Sequence, residues 1–144
     1  MILEDVCRVP VRFSEIDSMR RAWHGSYVKY FEDGRESFGR RYAGIGYADI
    51  VASGILAPVV DLHVKYYGPL ALNDVALVRT RYVYRPGARL DYSYEVRRES
   101  DGALCARGTT TQLFIGADEQ LLVEVPEYYA AWQRRWQAIE EVKR

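Results

Sequence analysis

A polar loop at residues 13–27 contains the side chains of this sequence that are best suited to chemistry. It carries two carboxylates, Glu15 and Asp17, then the imidazole of His24 and the small residue Gly25. A helix that begins at the end of this loop would aim unpaired backbone N–H groups and the positive end of its dipole at whatever lies in front of it. An ionised Asp17 can attack a carbonyl group held there, or take a proton from an attacking water molecule. The loop therefore predicts a site for attack on a carbonyl carbon.

Each of these residues also has an ordinary structural use. Loops before helices often carry Asp, Ser and Gly for turns and caps, so Asp17 alone is typical of a turn. His24 is equally suited to capping or packing and to polarising a carbonyl group. Glu15 is expected to be solvated. Glu32 falls on the helix, where surface charge is the common use, although an inward Glu32 would be a substitute base.

Several other kinds of site are absent from the sequence. There is no GxSxG elbow, no Walker loop and no GxGxxG motif, and the two histidines and two cysteines have no spacing known for zinc ligands. We therefore expect no metal ion and no cofactor. The 20 basic and 20 acidic side chains cancel, which disfavours a nucleic-acid partner or an anionic membrane.

Length and hydropathy favour one soluble domain. With 144 residues and 49% hydrophobic residues, the chain fits a single domain over residues 1–144. No stretch approaches the roughly 20 apolar residues of a membrane helix. Acidic residues interrupt the first 17 positions, where a signal peptide would be apolar, so we expect a cytoplasmic protein.

The hydrophobic pattern predicts one strand, a central helix, four further strands and a last helix. In the first strand, apolar residues alternate with Arg8, Pro10 and Arg12, and Pro10 suggests an edge position; the apolar residues are Cys7, Val9, Val11 and Phe13. The central helix is predicted from an N-cap at Ser26 to a stop at Gly44, and a short helical turn is possible within 45–54. Four strands are predicted at 58–67, 75–84, 90–98 and 103–115, and Pro126 opens a helix with a stripe of Tyr129, Trp132, Trp136 and Ile139.

This order of elements predicts an α+β domain in which a curved antiparallel sheet wraps around one central helix. Such a sheet leaves edge strands and an outer face to cover, and dimerisation is the usual solution. The tyrosines at 82, 84, 92 and 94 are expected to serve that subunit contact.

Four motifs resemble the 4-hydroxybenzoyl-CoA thioesterase-like family of hot-dog-fold acyl-CoA thioesterases. They are Val-Arg-Phe-Ser-Glu-Ile-Asp ending at Asp17, His-Gly-Ser-Tyr at 24–27, Tyr-Phe-Glu-Asp-Gly-Arg at 30–35 and Val-Lys-Tyr-Tyr-Gly-Pro-Leu at 64–70. The resemblance covers nearly the whole chain. It departs from the family at Met19-Arg20-Arg21, where relatives usually have a glycine and small or apolar residues.

The resemblance implies hydrolysis of an acyl-CoA to a carboxylic acid and CoA by a homodimer or tetramer. It places Asp17 at the position of the catalytic carboxylate, and His24 at that of a histidine found in many members. The amide of His24 or Gly25 would stabilise the oxyanion, and Tyr27 would help to enclose the site. Cations for the CoA phosphates are expected among Lys65, Arg85 and Arg89.

Two other functions are compatible with the same motifs. The chain could be a hot-dog hydratase or dehydratase that uses His24 with a helix carboxylate such as Glu32. It could also bind acyl-CoA or acyl-carrier protein without catalysis. The acyl group, the choice between CoA and carrier protein, and the choice between nucleophile and general base for Asp17 are left open by the sequence.

Overall fold

The computed structural model describes residues 2–139, which form a five-stranded antiparallel sheet with three α-helices. The strand order is β1-β3-β4-β5-β2, so β1 and β2 are the two edges. The predicted α+β architecture, with a sheet around one central helix and a C-terminal helix, is confirmed. The strands are β1 Glu4–Pro10, β2 Val59–Tyr66, β3 Val75–Val83, β4 Arg89–Arg98 and β5 Leu104–Leu113, and the helices are α1 Ser26–Arg41, α2 Tyr47–Ser53 and α3 Glu127–Trp136.

Small residues let α1 lie close against the sheet. A side chain at Gly34 would overlap Thr80 on β3, and one at Gly108 on β5 would overlap the ring of Phe31. Phe31 also stacks on Tyr94 of β4, with ring centroids 4.4 Å apart. The tightly packed α1 is thereby fixed in position, and so is the loop that precedes it.

The ends of two elements differ from the sequence prediction. The first strand lies at Glu4–Pro10 instead of 7–13, because the chain turns into a short 3-10 helix at Phe13–Glu15 although the apolar alternation continues. Its edge position, indicated by Pro10, is correct. Ser26 is not the N-cap of α1: it is buried in the first turn, and Gly25 occupies the cap position.

The tyrosines expected at a subunit contact lie on the inner side of the sheet. Tyr82, Tyr92 and Tyr94 are all buried beneath α1 and α3, so the prediction of an outer aromatic face is wrong. The Tyr82 and Tyr129 hydroxyl groups are 2.6 Å apart, and the Trp132 indole N–H donates to the Tyr42 carbonyl oxygen at 2.8 Å. These contacts attach α3 to the sheet and to the end of α1.

Within residues 2–139, no helix is long and apolar enough to cross a membrane. The cytoplasmic location stays a prediction from the sequence.

The stripe residue Ile139 lies beyond the end of α3 and is exposed.

Candidate active site

The loop before α1 folds into a tight turn around the carboxylate of Asp17. The Asp17 amide donates to the Arg21 carbonyl oxygen at 2.8 Å, and Asp17 Oδ1 accepts the amides of Met19 at 2.8 Å and Arg21 at 3.3 Å. Asp17 Oδ2 accepts no hydrogen bond from any residue between 2 and 139. One oxygen of this half-buried carboxylate is therefore held by its own loop, while the other is available to a ligand.

Glu15 anchors this loop to the helix. Its carboxylate is buried and accepts the Arg12 amide at 2.9 Å and the Tyr30 hydroxyl at 3.0 Å, while its carbonyl oxygen accepts the Trp23 amide. The expectation that Glu15 is solvated is wrong. A buried carboxylate needs such partners, and here they tie the loop to the first turns of α1.

The first turn of α1 presents unpaired amide groups. The Ser26 amide donates a hydrogen bond to the Trp23 carbonyl oxygen at 2.8 Å. The amides of His24, Gly25 and Tyr27 donate no hydrogen bond within the described part of the chain. These N–H groups and the helix dipole make the start of α1 suited to stabilising a negative oxygen.

Gly25 is required at the helix start because Trp23 lies directly over it. A Cβ atom at position 25 would overlap the six-membered ring of the Trp23 indole. The same indole also contacts the His24 imidazole, with ring centroids 4.9 Å apart. The shape of the loop is therefore specified by a tryptophan and glycine pair that sequence reasoning did not single out.

Asp17, His24 and Tyr27 line one open cavity of about 370 Å³, together with Tyr66 and Tyr67. The structure thus brings Asp17, His24 and Tyr27 together around one cavity. Tyr27 packs edge-to-face on Tyr66 at 5.1 Å between ring centroids, and burial raises the pKa of Tyr27 to about 12. The Tyr27 phenol is consequently neutral near pH 7, and the cavity has aromatic walls beside a free carboxylate oxygen.

Tyr66 is a site residue that sequence reasoning missed. It ends β2 on the side that faces α1, and its hydroxyl donates to the His24 carbonyl oxygen at 2.5 Å. This hydrogen bond fixes the peptide plane between His24 and Gly25, which includes the Gly25 amide. The alternation of β2 was the available signal, because Val64 and Tyr66 share the inner face.

Arg20 and Arg21 belong to the segment that departs from the family motif. Arg20 adopts φ +62°, a backbone conformation that glycine accepts without steric cost. Its neighbour Arg21 lines the Asp17 cavity, and its guanidinium makes no ion pair with a described carboxylate. A positive charge is thereby added to the lining of the cavity.

Glu32 does not lie in the Asp17 cavity. Its side chain is exposed on α1, 3.9 Å from the Arg35 guanidinium, and lines a separate cavity with Arg35 and Tyr47. Within this chain, His24 and Glu32 therefore do not form the pair that a hydratase would need.

Arg85 and Arg89 lie at the far end of the sheet from Asp17. Arg89 pairs with Asp91 at 2.7 Å, and Arg85 lies 3.8 Å from the same carboxylate. Burial alone would raise the pKa of Asp91, but hydrogen bonds from Arg89 and Thr111 and the charge of both arginines lower it overall. Arg89 also stands opposite Leu113 and Tyr66 opposite Ala106, seven residues or roughly 23 Å apart along β5.

The fold and the comparisons with known proteins define a thioesterase of the hot-dog type. The family model described as the thioesterase-like superfamily matches residues 11–133, and the chain belongs to this superfamily. It is a thioester hydrolase.

Three relatives illustrate the match. YneP of Bacillus subtilis, named provisionally as an acyl-CoA thioesterase, is 26% identical over 130 residues, and the match covers 88% of this chain and 93% of YneP. The crystal structure of DHNA-CoA thioesterase from Staphylococcus aureus has a TM-score of 0.84 at 26% identity, and the match covers 94% of this chain and 89% of that one. The hypothetical protein TT1821 from Thermus thermophilus has a TM-score of 0.79 at 32% identity, covering 90% and 97%.

Proposed function

We propose that this chain hydrolyses acyl-CoA thioesters to a free carboxylic acid and CoA, with Asp17 as the catalytic carboxylate. One observation carries the proposal: a carboxylate with a free oxygen and a helix start with unpaired amides face the same cavity. A thioester carbonyl between them would meet a nucleophile or base on one side and hydrogen-bond donors on the other. The CoA thioester named for the Staphylococcus aureus relative supports this substrate class.

Two routes use the same residues. In the first, Asp17 Oδ2 attacks the carbonyl carbon, the C–S bond breaks, CoA leaves as a thiolate, and water hydrolyses the mixed anhydride. In the second, Asp17 takes a proton from water, hydroxide attacks the carbonyl carbon, and the proton passes to the departing thiolate. In both, the amides of His24 and Gly25 stabilise the oxyanion, and the His24 imidazole polarises the carbonyl group or assists the water.

Oxygen-18 water in a single turnover tests whether Asp17 attacks the carbonyl carbon. If Asp17 attacks and water then opens the anhydride at the aspartyl carbon, the label enters the enzyme and the released acid is unlabelled. If Asp17 acts as a base, or if water opens the anhydride at its acyl carbon, one labelled oxygen appears in the acid, so only labelled enzyme identifies attack by Asp17. Mass spectrometry of the acid and of the peptide that contains Asp17 distinguishes the two results.

A panel of acyl-CoA substrates with a thiol reagent tests the activity itself. We expect thiol release from at least one acyl group. A folded protein that releases no thiol from any of them would contradict the proposal. Ligand-induced thermal stabilisation without turnover would then indicate a binding module, and a change in enoyl absorbance would indicate a hydratase.

The Tyr66→Phe variant tests whether the hydroxyl of Tyr66 positions the oxyanion donor. We expect kcat to fall roughly tenfold with little change in KM, because a loosened Gly25 amide weakens binding to the transition state more than to the substrate. Tyr84→Phe is the matched control, since the Tyr84 hydroxyl makes no hydrogen bond within residues 2–139 and lies outside the cavity. Equal kcat values for the two variants would remove Tyr66 from the mechanism.

We propose further that two chains pair edge to edge through β2. This strand lies at an edge of the sheet and is bonded only to β5 among the described strands. Its apolar side chains Val59, Val60 and Leu62 are exposed, as are Leu56 and Val51 on the adjoining segment. An apolar open edge of this kind favours pairing with a second strand, and the Asp17 cavity at the end of β2 would lie next to the partner.

Sedimentation measures this assembly. At micromolar concentration we expect twice the chain mass of 16.6 kDa, or a tetramer built from such dimers. The double variant Val60→Lys, Leu62→Lys is expected to sediment as a monomer, because it places two charges on the edge. A monomeric wild-type protein would contradict the proposed pairing.

A further inference from the structure

The face of the sheet that points away from α1 carries a trough of about 450 Å³. Four charged residues lie in one row across its floor, directly opposite one another on neighbouring strands: Lys65 on β2, Arg107 on β5, Glu95 on β4 and Arg79 on β3. With neighbouring strands about 4.8 Å apart, this row spans roughly 14 Å. We call this feature the outer trough.

The outer trough has an excess of positive charge. Glu95 is the one acidic residue in the row of four. The Glu95 carboxylate accepts a hydrogen bond from Arg97 at 2.7 Å and lies 3.5 Å from the Arg107 guanidinium. Lys65 and Arg79 lie within 4 Å of no carboxylate in the described part of the chain. Two cations therefore remain uncompensated, and a third shares its only carboxylate with Arg97, which favours an anionic ligand.

Tyr67 joins the outer trough to the Asp17 cavity. Tyr66 and Tyr67 follow each other at the end of β2, so their side chains point to opposite faces of the sheet. The Tyr67 ring lines both cavities. On the outer side it lies 5.6 Å from the Lys65 ammonium and 5.9 Å from the Arg107 guanidinium. A ligand that passes the end of β2 can thus contact both sites at once.

We propose that the outer trough binds the phosphate-bearing nucleotide end of CoA, a proposal that rests on acyl-CoA as the substrate. The phosphates contact Lys65, Arg107 and Arg79, and the flexible arm of CoA passes Tyr67 and Gly68 to place the thioester at Asp17. Lys65 stands two residues, or roughly 7 Å, from Tyr67 along the chain. Of the three cations predicted to bind the CoA phosphates, Lys65 lines the outer trough. Arg85 and Arg89 are paired with Asp91 at the other end of the sheet.

Kinetics with two thioesters of the same acyl group test this site. One is the acyl-CoA, and the other is the acyl-pantetheine thioester, which lacks the phosphates. We expect Lys65→Ala and Arg107→Ala each to raise KM for acyl-CoA about fivefold, and the double variant about 20-fold, with kcat and the acyl-pantetheine kinetics unchanged. Arg8→Gln is the control, since Arg8 lies on the same face but on β1 and pairs with Glu99. Equal effects on both thioesters, or none on acyl-CoA, would overturn the proposal.

Binding without turnover separates this proposal from the catalytic one. Calorimetry with CoA and with adenosine 3′,5′-bisphosphate is performed on the Asp17→Asn protein, in which the outer trough is intact. We expect both ligands to bind, and the additional Lys65→Ala and Arg107→Ala changes to weaken both by at least tenfold. Unweakened binding overturns the outer trough as the nucleotide site even if hydrolysis is observed. Weakened binding supports it even if the assigned role of Asp17 fails.

Discussion

Asp17→Asn is expected to lower kcat for acyl-CoA hydrolysis by about 100-fold or more, with stability nearly unchanged. Asparagine keeps the oxygen that accepts the Met19 and Arg21 amides, so the turn is preserved. It loses the negative charge, and with it the nucleophile or base. Thiol release measures kcat, while thermal unfolding reports whether the loop and the fold are intact.

Asp118→Asn is a matched control for the structural role of such a turn. Asp118 Oδ1 accepts the Gln120 amide at 3.1 Å, the same two-residue pattern as Asp17 and Met19, but in an exposed loop far along the chain. We expect this variant to hydrolyse substrate as the wild type does. If both variants retained full activity, Asp17 would be a turn residue and no more.

Gly25→Ala is expected to produce the second large loss, about 100-fold in kcat, because displacement of a catalytic group by about 1 Å has effects of this size. The added methyl group overlaps the Trp23 indole, so either the ring or the first turn of α1 must move. The unpaired amides of His24 and Gly25 then no longer meet the carbonyl oxygen in the right place. Steady-state kinetics provides the measurement, with circular dichroism to show that the helices persist.

Two further variants separate steric displacement from a general sensitivity of helix caps. Gly46 is the N-cap of α2, and a Cβ atom there would meet its nearest neighbour, an Asp49 carboxylate oxygen, at an ordinary 3.5 Å. Gly46→Ala should therefore leave kcat unchanged. Adding Trp23→Leu to Gly25→Ala makes room for the methyl group and should restore part of the activity. A Gly25→Ala enzyme with wild-type kcat would show that the helix start is not placed as we describe.

Local patterns were enough to predict the parts of the molecule that depend on residues near in sequence. The α1 stripe, the strand alternation and the 13–27 loop all follow from such spacing. The structure brings Asp17 and His24 of this loop to one cavity with Tyr27, whose place there was implied by the family resemblance. All three lie within eleven positions of one another, on a loop and the helix turn that it enters.

What the sequence did not give depends on contacts between distant segments. The burial of Glu15 depends on the Tyr30 hydroxyl, which lies fifteen residues away on α1. The pairing of Arg85 and Arg89 with Asp91 is local, by contrast, and Asp91 stands only two residues from Arg89 on β4, so the sequence already contained the signal for it. The hydrogen bond of Tyr66 to the His24 carbonyl oxygen crosses 42 positions and requires the end of β2 to meet the start of α1.

The side of the sheet on which the tyrosines lie, in contrast, could have been predicted from the alternation of apolar and polar residues along the strands. On β3, Tyr82 lies on the same face as the apolar Val78, whereas Arg79 and Arg81 lie on the opposite face. The same pattern on β4 places Tyr92 and Tyr94 inside and the charged residues outside. The outer face is therefore polar and basic, which is why it suits an anionic ligand better than an apolar contact.

The most direct measurement is a crystal structure of the Asp17→Asn protein with an acyl-CoA bound. We expect the thioester carbonyl oxygen to lie 2.7–3.1 Å from an amide nitrogen of His24, Gly25 or Tyr27. The carbonyl carbon should lie within about 3.5 Å of the side chain at position 17, or be joined to it by one water molecule. A thioester bound elsewhere, with the residue-17 side chain turned to bulk solvent, would contradict the account.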